Sequence, residues 1–130
     1  GELAGTQQIA WQKNRSTPYV PSPLLYDGWL YYHRHYQGVL SRVNAKTGAE
    51  PSGTVRLGPD FNSDSSPVAA AGRIYVTDRN GKTLVISNAP EPKSLTLNKL
   101  DDRFSASAAL VGDAIFLRGE KFLYCIGEKD

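Results

Sequence analysis

The chain is poor in the residues that usually announce a mechanism. It has one cysteine, Cys125, so no internal disulfide can form, and the LYCI run around that residue reads as a core thiol. Methionine is absent even at position 1, which reads as a processed or engineered N-terminus whose signal peptide would already be gone. No run approaches the ~20 apolar residues needed to span a bilayer. The charge balance, 15 Lys+Arg against 13 Asp+Glu, leaves a net +2 that is too small and too scattered for a nucleic-acid partner. No segment sustains a helical period, and eight prolines are spread along the 130 residues.

What remains is β-strand chemistry, and it repeats. Ser22, Ser66 and Ser107 stand 44 and 41 residues apart. Six residues after each come Gly28, Gly72 and Asp113, the last in a Gly112-Asp113 pair that reverses Asp27-Gly28. Nine after each come Tyr31, Tyr75 and Phe116, and leucine returns at Leu40, Leu84 and Leu123. WLYY, RIYV and AIFL are aromatic and β-branched, as a pleated surface requires. Asp27-Gly28 and Ala71-Gly72 are two-residue hairpin signals, and Arg79-Asn80-Gly81 supplies residues that tolerate positive φ. Thr54–Leu57 and Ser94–Leu97 alternate polar and apolar, the pattern of a half-exposed outer strand. A third such strand is absent after copy three, while Gln8–Gln12 reads as a spare strand at the other end.

Four-stranded units with a period of about 42 residues, apolar on both faces, are the pattern of β-propeller blades. The expected fold is all-β. It has about three antiparallel blades, near 19–60, 61–100 and 101–130, after an N-terminal segment 1–18 with one outer strand. Known propellers close with about 4–8 blades. A three-blade fan would leave an apolar face of several hundred Å² bare at each end, more than a soluble monomer usually shows. Two resolutions follow: the chain is the C-terminal part of a longer propeller, or it associates with itself. In the second case the strand around Trp11 would complete the last blade of a partner, giving a six-bladed dimer by strand exchange.

SPLLYDGWLYY with GVLSRVNAKTG, SPVAAAGRIYV with GKTLVIS, and the closing FLYCIGEK together resemble the pyrroloquinoline-quinone-like propeller repeat over residues 19–129. That family includes quinone-dependent alcohol and sugar dehydrogenases, a lipoprotein that scaffolds outer-membrane protein assembly, and many secreted proteins. The resemblance implies a periplasmic or extracellular location. It also implies that quinone and calcium are possible cofactors, although no calcium-loop spacing and no paired cysteines support them. The family's Ala-x-x-x-Gly turn is normally followed by a tryptophan that docks against the next blade. After Gly48 that tryptophan is missing, and Trp11 stands as its one survivor.

No catalytic group stands out. Asp60, Asn62, Asp64, Asp101 and Asp102 precede inner strands and could converge as hard oxygen ligands, although ordinary polar turns are the preferred explanation. His33 and His35 are two apart, so on a strand they would share a face suited to a metal, but no third ligand accompanies them. His33-Arg34-His35-Tyr36 reads more simply as a solvated hairpin or a contact loop. Ser22 or Ser66 with either histidine and Asp27 would make a hydrolase triad on paper. A serine present in every copy, however, reads as structural, closing a turn or bonding between blades. The best site is the rim of loops before the inner strands: Arg15, Asp60, Asn62, Asp101, Asp102 and Arg103, with Tyr19 and Phe104 as aromatic anchors. The expected function is a non-enzymatic scaffold whose rim binds a protein or ligand. The alternative is a fragment of a quinone-dependent dehydrogenase with its catalytic residues in other blades.

Overall fold

A computed structural model of the chain describes residues 1–34, 38–51 and 53–128. Its eleven strands form three separate antiparallel sheets. Blade 1 orders β1 (Leu24–Tyr26), β2 (Trp29–His33), β3 (Val39–Asn44) and β4 (Thr54–Arg56). Blade 2 orders β5 (Val68–Ala70), β6 (Arg73–Thr77), β7 (Lys82–Ser87) and β8 (Ser94–Lys99). Blade 3 has β9 (Ala109–Val111), β10 (Ala114–Arg118) and β11 (Leu123–Ile126), and no fourth strand among the described residues. Each blade meets the next through its first strand, β1 against β5 and β5 against β9. That is the radial arrangement of a propeller segment, not of a closed barrel or a two-layer sandwich.

The turns follow from their residues. Asp27 and Gly28 take φ of 50° and 76°, and Ala71 and Gly72 take 48° and 72°, the two left-handed positions of a type I′ turn. In blade 3 the order is reversed and only Gly112 is left-handed, with φ of 56°, as a type II′ turn requires. Gly81 is needed for a second reason. A Cβ there would be driven into the Leu100 carbonyl oxygen, because the strand leaving β8 runs directly over the β6–β7 hairpin.

Register corrects one element of the repeat. Tyr31, Tyr75 and Phe116 face Arg42, Val85 and Cys125 across their hairpins. By the same register Leu40 corresponds to Thr83, not to Leu84. The second hairpin is shorter, and a one-residue offset turns a side chain to the other face. Leu40 therefore shares a face with Tyr31, while Leu84 shares one with Ile74 and Val76.

These opposed faces meet in the main core. Tyr31 and Leu40 of blade 1 and Ile74, Val76, Leu84 and Ile86 of blade 2 are buried together, closed above by Phe61. The blades are also stitched polar to polar. The Ser22 amide donates to Ser66 Oγ and the Ser66 amide to Ser107 Oγ, both at 2.8 Å. The recurring serines thus bond from blade to blade.

The two ends of the fan differ, contrary to the expectation of a bare face at each. On blade 1 the outward residues Tyr32, Val39, Ser41 and Val43 are buried. On blade 3 Leu123 is 71% exposed where Leu40 is 0%. Cys125, expected in the core, is exposed beside it on the edge strand β11. Residues 8–12 form no strand. Instead the Trp11 indole donates its Nε1–H to Ala45 O at 2.9 Å, and its ring lies on Gly48, where an added Cβ would sit 2.8 Å from it. Trp11 therefore docks on the Asn44–Gly48 turn of the blade that follows it, the placement implied by the family resemblance.

Candidate functional site: the hairpin end of the fan

The inter-blade connections cross one end of the molecule and are pinned to the second hairpin of each blade by backbone hydrogen bonds. Leu57 N donates to Gly38 O, Arg79 N to Asn62 O, Phe104 N to Arg79 O and Glu120 N to Arg103 O. Segments 57–67 and 100–107 are thereby fixed to the β2–β3, β6–β7 and β10–β11 hairpins. This end carries most of the expected rim residues.

Their roles divide by burial. Asp60, Asn62, Asp101 and Arg103 are exposed. Tyr19 is 72% exposed. Arg103 lies 3.9 Å from Glu120 at a fully solvated pair, which contributes little to stability. Arg15 is exposed on the N-terminal segment, and no hydrogen bond or ion pair among the described residues ties it to the others. Phe104 differs from its expected part as an anchor. It is buried, bridges to Gly119 and packs against Tyr124 with ring centroids 5.8 Å apart, so it holds the rim together from inside.

Asp102 is likewise an internal fastener. Its carboxylate accepts from the amides of Arg103, Lys121 and Phe122 and from the Tyr124 hydroxyl. Burial acts to raise its pKa, but those donors together outweigh it and hold the group below the usual aspartate value. Burial, then the Asp102 carboxylate, push the Tyr124 hydroxyl up. Asp78 fills a related place in the β6–β7 hairpin. One of its oxygens accepts from Asn80 N and Lys82 N, and the other has no partner among the described residues.

The His33–Tyr36 stretch is not a solvated hairpin throughout. His33 ends β2 and is only 7% exposed, and burial lowers its pKa to about 4. Its Nε2 has no hydrogen-bond partner among the described residues. The ring lines a cavity of about 50 Å³ with Tyr19, Pro21, Phe61 and Asn62, room for a few waters. Arg34 turns away from solvent. Its Nε donates to Ser41 Oγ at 2.8 Å, and its NH2 nitrogen reaches both Glu50 oxygens at 3.0 Å. His35 and Tyr36 lie outside the described residues.

The acids do not fit a calcium-held quinone. Asp64 is ion-paired to Arg79, Asp102 is saturated by its donors, and no group of three His, Cys, Asp or Glu side chains converges among the described residues. The sequence reading missed the seam between blades 1 and 2. There the Tyr31 hydroxyl donates to Asn88 Oδ1 at 2.5 Å and accepts from Arg42 Nε at 3.0 Å. The Arg42 guanidinium stacks 3.4 Å from the Trp29 ring centroid. Burial raises the Tyr31 pKa, partly offset by Arg42. Equal register positions of Tyr31 and Tyr75 were visible beforehand, but their partners were not.

Neither a family model nor a curated protein matches the chain. Among solved structures, the chain is similar to BamB from Moraxella catarrhalis, with 11% identity and a TM-score of 0.45. The match covers 81% of this chain and 41% of that one, so the chain spans less than half of that protein.

Proposed function

We propose that the protein is a non-enzymatic propeller scaffold whose hairpin end binds a protein partner. The observation that carries this is the construction of that end. Backbone hydrogen bonds fix two inter-blade connections on three hairpins, and the exposed side chains there are mostly polar, with the exposed ring of Tyr19 on the same end. Tyr19, Asp60, Asn62, Asp101 and Arg103 form a preorganised, mixed surface of the kind that recognises a partner without ordering cost. The resemblance to the quinone-type repeat favours an exported location. Two of the acids that could hold a metal, Asp64 and Asp102, are already spent on internal bonds, which favours the scaffold over the dehydrogenase fragment.

The test is residue-specific photocrosslinking in the native host with the probe placed at Asn62 or Asp101, and at Lys46 or Asp113 on the opposite end. One discrete adduct from the rim positions and none from the others is expected. Equal adducts from both ends, or none from the rim, would sink the reading. Dye-linked alcohol oxidation on adding quinone and calcium would favour the dehydrogenase fragment instead.

A further inference from the structure

The seams on either side of blade 2 are built from equivalent positions but filled differently. Between blades 1 and 2, Tyr26, Trp29 and Arg42 occupy the space. The Tyr26 hydroxyl accepts from Gly72 N at 3.0 Å, and the Trp29–Arg42 stack fills the remainder. By register, the residues that blade 2 turns toward blade 3 at those positions are Ala70, Arg73 and Val85. Three large side chains have become two small ones and a single guanidinium. The seam consequently gapes: Ile126 is 42% exposed where its counterpart Ile86 is 0%. A cleft of about 1030 Å³ opens there, at the upper limit of the ~300–1,000 Å³ range of small-molecule sites.

The lining of this cleft is mixed: Tyr75, Leu110 and Ile115 give it apolar surface, and it includes charges of both signs. Arg73 lies on the blade 2 side, and Asp113 and Glu128 on the blade 3 side. None of the three has an ion pair or side-chain hydrogen bond among the described residues. A missing aromatic ring, a free cation and two free carboxylates on opposite walls define a complementary shape.

We propose that the cleft between blades 2 and 3 binds a free aromatic α-amino acid. Its ring takes the place that the Tyr26 phenol takes in the first seam, over Ala70. Its carboxylate pairs with the Arg73 guanidinium in a charge-assisted contact. Its ammonium faces Asp113 and Glu128. The apolar part of the lining favours a ring over a polar side chain, and the charges on the two walls disfavour rings that lack one of the two ionic groups. The cleft lies between the β5–β6 and β9–β10 turns, at the end opposite the hairpin rim, so the two sites stand or fall separately.

The experiment is titration of the isotope-labelled full chain with L-phenylalanine, followed by amide chemical shifts. Saturable shifts confined to residues 70–75, 110–115 and 125–128 are expected. 3-Phenylpropionate, which lacks the ammonium, and phenethylamine, which lacks the carboxylate, should each bind at least roughly tenfold more weakly. Arg73→Ala should cost a similar factor. The double variant Arg73→Trp with Val85→Arg rebuilds the first seam's stack and should abolish binding; Ala70→Tyr fills the cleft independently if the double variant does not fold. Absence of saturable shifts at about 10 mM ligand, shifts centred on the hairpin rim, or indifference to Arg73→Ala would overturn the proposal.

Discussion

The Ser22 amide and the Ser66 hydroxyl oxygen are 2.8 Å apart, and the same bond recurs from Ser66 to Ser107. One residue type at one position in each repeat thus converts a sequence period into a spatial ladder, with donor and acceptor contributed by neighbouring blades. Ser66→Ala breaks one rung and leaves the amide of an exposed residue to water. A loss of about 0.5–1 kcal/mol is expected in urea unfolding, with the m-value unchanged.

Trp11 and Gly48 act as a pair. Trp11→Ala removes the Ala45 hydrogen bond and the ring contact of a half-buried side chain, at a cost of about 2–3 kcal/mol. Gly48→Ala places a methyl against the ring at a left-handed φ of 70° and should cost a comparable amount. Since each change disrupts the same contact, the double variant should fall well short of the sum, which a double-mutant cycle measures.

His33 makes the fold sensitive to mild acid. Its pKa is near 4 in the folded protein and about 6.5 in an unfolded chain. Between those values the unfolded state binds the extra proton, so stability falls as pH drops from about 6.5 towards 4, by up to ~3 kcal/mol. His33→Phe removes the titrating group. It should flatten the profile of Tm against pH across that window, leaving the remaining acid sensitivity to the carboxylates. An unchanged slope in the variant would refute the assignment.

Asp102 acts in the opposite sense and lower on the pH scale. Its pKa is depressed in the folded state, so its stabilisation is complete above about pH 4 and is lost as pH falls through the folded value. Asp102→Asn keeps an acceptor oxygen but loses the charge, and should abolish this component while loosening amide protection at Lys121 and Phe122 in hydrogen exchange.

Ala71 occupies a left-handed φ of 48° in a two-residue turn where its counterpart position holds Asp27. Ala71→Gly relieves that strain, and a gain of about 0.5–1 kcal/mol in thermal unfolding is expected.

The repeat, the strand types and the missing fourth strand of the last blade were legible because alternation and turn chemistry are local. The packing of neighbouring blades was not. Leu84 reads as the match of Leu40, yet hairpin length sends it to the other face, and only cross-strand register reveals this. Phe104 and Asp102 looked like rim groups because loop position is legible and burial is not. Both are turned inward by bonds to a hairpin about twenty residues away. Gln8–Gln12 has the composition of a strand, but the docking of Trp11 on the Gly48 turn replaced pairing. Cys125 sits in a run as apolar as a core strand. It is exposed because, among the described residues, no blade covers that side of β10 and β11.

The contrast between the sealed face of blade 1 and the open face of blade 3 gives the molecule a thermodynamic gradient. Each blade gains support from its neighbours, so among the described residues local opening starts at the exposed face of blade 3 and moves inward. Amide protection should decline from β2 and β3 towards β11, with the Trp11-clasped half as the last part to melt.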